Sequence, residues 1–166
     1  AAPRHRSPVP PSDSPVDRAV SLLSRRAHSQ WELRRKLRMK GFASEAVDIA
    51  MARLVELGYL DDPSFAKGLV RRRSSIRGPR ALSAELAARG VDRAEADAAV
   101  AGFDIEAQLV SATRLAERLY ARQAGTGYRE LLDTVGTKLL RRGFSVPVVR
   151  EACRSVLSGA AQPHED

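Results

Sequence analysis

At 166 residues the chain has room for one ordinary domain or a short array of small units, and not for two large enzyme lobes. Hydrophobic residues (43%) suffice for a core, while a single cysteine, Cys153, excludes an internal disulfide and a cysteine-rich zinc site. Twenty-eight basic residues against 20 acidic give a net charge of +8, the footprint of a partner for nucleic acid or another polyanion, although all but Lys36, Lys40, Lys67 and Lys138 are arginines, a bias that genome composition also produces.

Residues 1–13 carry four prolines and no apolar period, and are expected to form a disordered basic tail. Helices are then expected near 15–26, 30–40, 45–57, 63–75, 79–89, 93–101, 105–122, 128–142 and 146–157, with a frayed tail over 158–166. Ser14 before Pro15 and Asp17 suits a helix start, and Ser29 with Glu32 and Asp92 with Glu95 have capping-box spacing. Asp62-Pro63 and Gly78-Pro79 put proline just inside two further starts. Glycines 41, 58, 90, 102 and 143 follow apolar-periodic stretches, where a left-handed residue ends a helix. No segment alternates with period two, so the expected fold is all-α.

Three of these glycines bring the sequence into register with itself. Leu33 and Leu37 stand eight and four residues before Gly41, as Leu82 and Leu86 stand before Gly90 and Val135 and Leu139 before Gly143. A hydrophobe follows each glycine (Phe42, Val91, Phe144), and the match continues through Val47, Ala96 and Val149, then Met51, Val100 and Cys153, then Leu54, Phe103 and Val156. A further helix precedes each copy. The unit is three helices, occurring three times over 14–60, 61–103 and 104–157. So short a unit buries little alone, so the copies are expected to stack into an elongated, curved array that needs no second chain.

These repeats, with the run Gly58-Tyr59-Leu60-Asp61-Asp62 followed by Phe65-Ala66, resemble the RecX family of recombination regulators. The resemblance spans roughly residues 17–157 and includes Glu32 to Leu37, the Gly41-Phe42 turn, Gly78-Pro79-Arg80, Gly90-Val91 and Arg141-Arg142-Gly143-Phe144. The stretch from Arg93 to Ala101 departs from it in having only small apolar residues besides Val100. The resemblance implies binding without catalysis and without a cofactor. Its members associate with the RecA recombinase filament on single-stranded DNA, bridge neighbouring subunits, and lower strand exchange, ATPase and co-protease activities, so modulating recombination and DNA repair.

Candidate contact residues follow from charge and helical angle. Leu33, Leu37 and the stem of Lys40 share an inward face, leaving Trp31, Arg34, Arg35, Arg38 and Met39 on the other side. Arginines around the lone tryptophan make a contact surface; the alternative is that Trp31 packs under an adjacent repeat. Arg71, Arg72 and Arg73, continued by Arg77 and Arg80, either bind phosphates or carboxylates or merely complement a helix C-terminus. Lys138, Arg141 and Arg142 form a smaller basic edge with the same ambiguity.

Asp61 and Asp62 suit a helix start better than a magnesium site, with Asp62 as the cap before Pro63. Tyr59 is expected to staple successive repeats, His28 to be a loop residue, and Cys153 to be a buried hydrophobe. Gly125-Thr126-Gly127 is a linker without the lysine of a P-loop. With no apolar run of about 20 residues and no export signal, a cytoplasmic protein is expected. A second functional reading is direct DNA binding of helix-turn-helix character, with an arginine-rich helix in a major groove.

Overall fold

Helix formation follows the punctuation. In a computed structural model, which describes residues 14–121 and 125–160, the described residues form helices and turns with no strand among them. The order is α1 (Pro15–Leu23), α2 (Gln30–Met39), α3 (Ser44–Glu56), α4 (Asp62–Arg73), α5 (Pro79–Ala88), α6 (Arg93–Ala101) and α7 (Ile105–Tyr120), then α8 (Tyr128–Leu131), a π-helical turn (Leu132–Gly136), α9 (Thr137–Arg141) and α10 (Val146–Ala160). The all-α expectation is met. The expected tail 1–13 and residues 161–166 lie outside the described residues, while 158–160, expected in the C-terminal tail, continue α10.

The caps agree with the sequence at two sites and differ at others. Ser14 and Ser29 form full capping boxes with Asp17 and Glu32. Asp92 instead accepts from Ala94 N at 3.0 Å, one residue earlier than capping-box geometry requires. Asp62, expected as the cap before Pro63, is itself the first residue of α4 and is buried, so the helix starts one residue earlier than expected. Helix α1 stops at Leu23 because the chain turns: Arg26 reaches forward to hold Glu32 through both carboxylate oxygens at 3.2 Å.

The glycine register is visible in the backbone. Gly41, Gly90 and Gly143 take φ of 92°, 70° and 92°, a region that side-chain-bearing residues avoid, whereas Gly102 stays right-handed at −68° against expectation. After Gly90 and Gly143 the next amide reaches back into the helix, Val91 N to Leu86 O at 3.1 Å and Phe144 N to Leu139 O at 3.3 Å, as in a Schellman ending. Leu33, Leu37, Leu82, Leu86, Val135 and Leu139 are all fully buried. Each contributes about 1.5–3 kcal/mol of apolar burial.

The chain forms two compact units, one ending at Asp61 and one beginning at Asp62. In the first, α1, α2 and α3 contact one another around Ala19, Leu33, Leu37, Val47, Met51, Leu54 and Leu60, with Phe42 half-buried against them. Leu60 is buried in this core, whereas Tyr59, expected to staple successive repeats, is 58% exposed. Lys40 is exposed as well, and does not share the inward face of Leu33 and Leu37.

In the second unit, one core cluster runs from Phe65 in α4 through Val156 in α10. Helix α7 packs chiefly on α10, and α4 on α6. The small residues Ala96 and Ala99 of α6 are buried in this cluster together with Phe103. The π-helical turn was not expected, and its cause is spacing. Leu131, Val135 and Leu139 are four residues apart and all fully buried. At about 100° per residue, two such steps would rotate the stripe about 80° off the core in a plain α-helix. The extra residue of a π turn absorbs that drift.

Candidate functional site

The outer face of α2 is built by its capped start and its buried stripe. Fixing Leu33 and Leu37 inward turns Trp31, Arg35, Arg38 and Met39 outward, and all four are exposed, Trp31 at 46% and Met39 at 75%. Trp31 is therefore not packed away. The Arg35 guanidinium lies over its ring, 5.4 Å from the centroid. Trp31, Arg34, Arg35, Arg38 and Met39 line a shallow depression of about 400 Å³. The arginines are not equivalent: Arg34 and Arg38 approach Asp48 of α3 at 3.5 and 3.9 Å, whereas Arg35 has the indole as its neighbour.

The base of α2 holds a network that the sequence reading missed. His28 is buried, its Nδ1 2.9 Å from the Arg26 carbonyl and its Nε2 2.8 Å from Lys36 Nζ. A carbonyl only accepts and an ammonium only donates, so the ring is neutral, with its proton on Nδ1. Burial lowers its pKa, assisted by the Arg26 and Lys36 charges and opposed by the Arg26 carbonyl and Glu32. Capping letters alone do not reveal this, although the eight-residue spacing from His28 to Lys36 spans about two turns.

In the second unit the candidate arginines divide by partner. Arg73 is engaged with Glu85 at 3.2 Å, and Arg89 holds the same carboxylate at 3.1 Å. Burial pushes Glu85 up, but these two guanidinium hydrogen bonds outweigh it and hold the carboxyl below its ordinary range. Arg73 is thus an internal brace, while Arg71 and Arg72 are exposed. Arg142 is half-buried and donates to the Ile76 carbonyl at 3.3 Å.

That last bond belongs to a junction which no sequence spacing discloses. Gly78 N donates to the Arg142 carbonyl at 2.8 Å and Arg80 N to the Gly143 carbonyl at 3.2 Å. A Cβ on Gly78 would collide with the Gly143 backbone, and one on Gly143 with Ala81. Two backbones therefore touch, bringing Arg77 and Arg80 to the same edge as Arg141, with Lys138 one turn away on α9. Arg80, Lys138 and Arg141 are exposed. Two further arginines, Arg114 and Arg118 of α7, line a groove with Ser75. Their spacing to Ser111 was the available signal.

Cys153 is fully buried, and burial raises its thiol pKa. Among the described residues, no three His, Cys, Asp or Glu side chains gather as a metal site, and no helix is long and apolar enough to cross a membrane.

Two family models match the chain: "RecX, first three-helix domain" over residues 16–54 and "RecX, second three-helix domain" over residues 61–100. A Regulatory protein RecX of Stenotrophomonas maltophilia (strain K279a) is 38% identical over 153 residues, covering 92% of this chain and 93% of the relative. Another from Xanthomonas axonopodis pv. citri (strain 306) is 37% identical over 142 residues, 85% of this chain and 86% of its own. The crystal structure of RecX from Lactobacillus salivarius superimposes with a TM-score of 0.78 at 23% identity, over 87% of this chain and 95% of that one. A second crystal structure, of regulatory protein RecX, gives 0.72 at 25% identity, over 81% and 68%.

Proposed function

The chain belongs to the RecX family of regulatory proteins, and we propose that it regulates by binding the RecA nucleoprotein filament in the cytoplasm, lowering strand exchange, ATPase and co-protease activity without catalysis of its own. The observation that carries this reading is the α2 face, where an exposed indole, an arginine stacked on it and an exposed methionine stand together. Aromatic and arginine side chains dominate binding hot spots, and a half-exposed tryptophan has apolar surface left to bury on a partner. The Arg77, Arg80, Lys138 and Arg141 edge is a second basic surface suited to carboxylates or phosphates of the filament.

The test is to titrate the protein into recombinase, single-stranded DNA and ATP and to follow hydrolysis. Wild type should suppress it at stoichiometric protein. Trp31→Ala with Arg35→Ala should need about tenfold more protein, roughly 1.4 kcal/mol of lost binding, with unchanged helicity. Unchanged hydrolysis at stoichiometric wild type would overturn the filament reading, and an unimpaired double variant would remove α2 from it.

A further inference from the structure

On the α1 side of α2 lies a second depression, of about 320 Å³, lined by Arg18, Leu22, Lys36, Met39 and Lys40. Arg18 and Leu22 stand one turn apart on α1, as Lys36 and Lys40 do at the end of α2 with Met39 beside them, so each helix lends one face. Leu22 is half-buried against the core of the unit, whereas Met39 is 75% exposed. Met39 also lines the Trp31 depression, so the two hollows meet at its side chain.

Three cations line this hollow and no carboxylate does. Lys36 points its ammonium at His28 Nε2, 2.8 Å away, which uses one of its three hydrogens and leaves two. Arg18 Nε is shielded from solvent and has no hydrogen-bond partner. Arg34 and Arg38 share Asp48, but among the described residues neither Arg18 nor Lys40 forms an ion pair. The α2 dipole offsets about half a charge near Lys36 and Lys40, so an excess of about two positive charges stands over an apolar floor.

We infer that this hollow, with the Trp31 depression it joins, docks an acidic segment of a partner protein whose carboxylates are interspersed with apolar side chains. The carboxylates accept from Arg18, Lys36 and Lys40, while one apolar side chain rests on Leu22 and Met39. A second reaches the indole across Met39, whose unbranched thioether adapts to either neighbour. Crossing from one hollow to the other takes a length of chain, which a small acid does not have. Without rings, Leu22 and Met39 suit aliphatic side chains better than bases, which stack on aromatic faces. The inference goes beyond the filament reading and does not rest on it, because the chemistry holds for any protein carrying such a segment.

The experiment is fluorescence anisotropy of a labelled glutamate peptide carrying two leucines, added to the whole protein without recombinase. It should bind at least about tenfold more tightly than an all-glutamate peptide, through the apolar area that its leucines bury. A peptide with one leucine should fall between them, and Met39→Ala should lose most of the preference for leucine. Arg18→Gln with Lys40→Gln should weaken binding about tenfold or more, with unchanged helicity, since neither side chain holds an acidic partner in the fold. Arg114→Gln with Arg118→Gln, the same change of charge on the second unit, should bind as wild type does. Equal losses in the two double variants would reduce the effect to net charge and overturn the proposal. Absence of binding, or an all-glutamate peptide that binds as tightly, would overturn it too. Displacement of the peptide by oligothymidylate or by hexanoate at equal charge would assign the hollow to phosphates or to a small acid, and would likewise overturn it.

Discussion

Gly78 and Gly143 are held by the nearness of two backbones, and only one of the pair has an unusual dihedral angle. Gly78→Ala should therefore cost about 1–3 kcal/mol or more through overpacking, seen as a lower urea midpoint. Gly102→Ala should change it little, because Gly102 is right-handed and an added Cβ would meet only the Ala99 carbonyl, at 3.4 Å. Equal losses would show that the junction is not the constraint. His28 makes a second prediction, with a defined sign. Its folded pKa lies below the ordinary 6.5. The unfolded chain thus takes up the proton first as pH falls. The stability this ring contributes is present in full above about pH 6.5 and is lost as pH drops from there through the folded pKa. Urea midpoints of wild type should fall across that window, and His28→Gln should lack that part of the slope.

The helices themselves were largely legible, because start and stop signals are local chemistry. Ser29 is an example: its hydroxyl accepts from Glu32 N at 3.1 Å while the Glu32 carboxylate accepts from Ser29 N at 3.2 Å, as the four letters imply. Ser29→Ala should cost about 1 kcal/mol, read from denaturant unfolding, and should loosen the start of α2. The π turn was not legible, because it answers to the core that Leu131, Val135 and Leu139 must all reach. The basic residues were the hardest to sort. Arg73 and Arg71 are alike in a sequence, and only the position of Glu85 makes the first a brace while the second stays exposed. Arg114 and Arg118 escaped notice because Ser75, which lines their groove with them, lies far off in the sequence.

At the scale of the molecule, the register of glycines and hydrophobes is matched by burial at nearly every position, with Phe42 and Val100 only half-buried. What the repeat did not disclose is that the residues after Asp61 share one core while those before it have their own. Leu33→Ala removes fully buried atoms from the first core and should cost about 2–5 kcal/mol there. Hydrogen exchange should quicken in α1, α2 and α3, while amides of α4 to α10 keep wild-type protection. Uniform loss of protection along the chain would instead mean a single cooperative core.

The lone tryptophan gives the protein an optical label of its own. Because Trp31 is the only indole in the sequence and sits half in water beneath a guanidinium, its emission reports on the outside of α2 alone. A blue shift on adding a ligand means that the ring has been covered, and silence during a binding event means that the ligand has settled elsewhere. Unlabelled protein in a fluorimeter can thus tell a contact made through α2 from one made on another face.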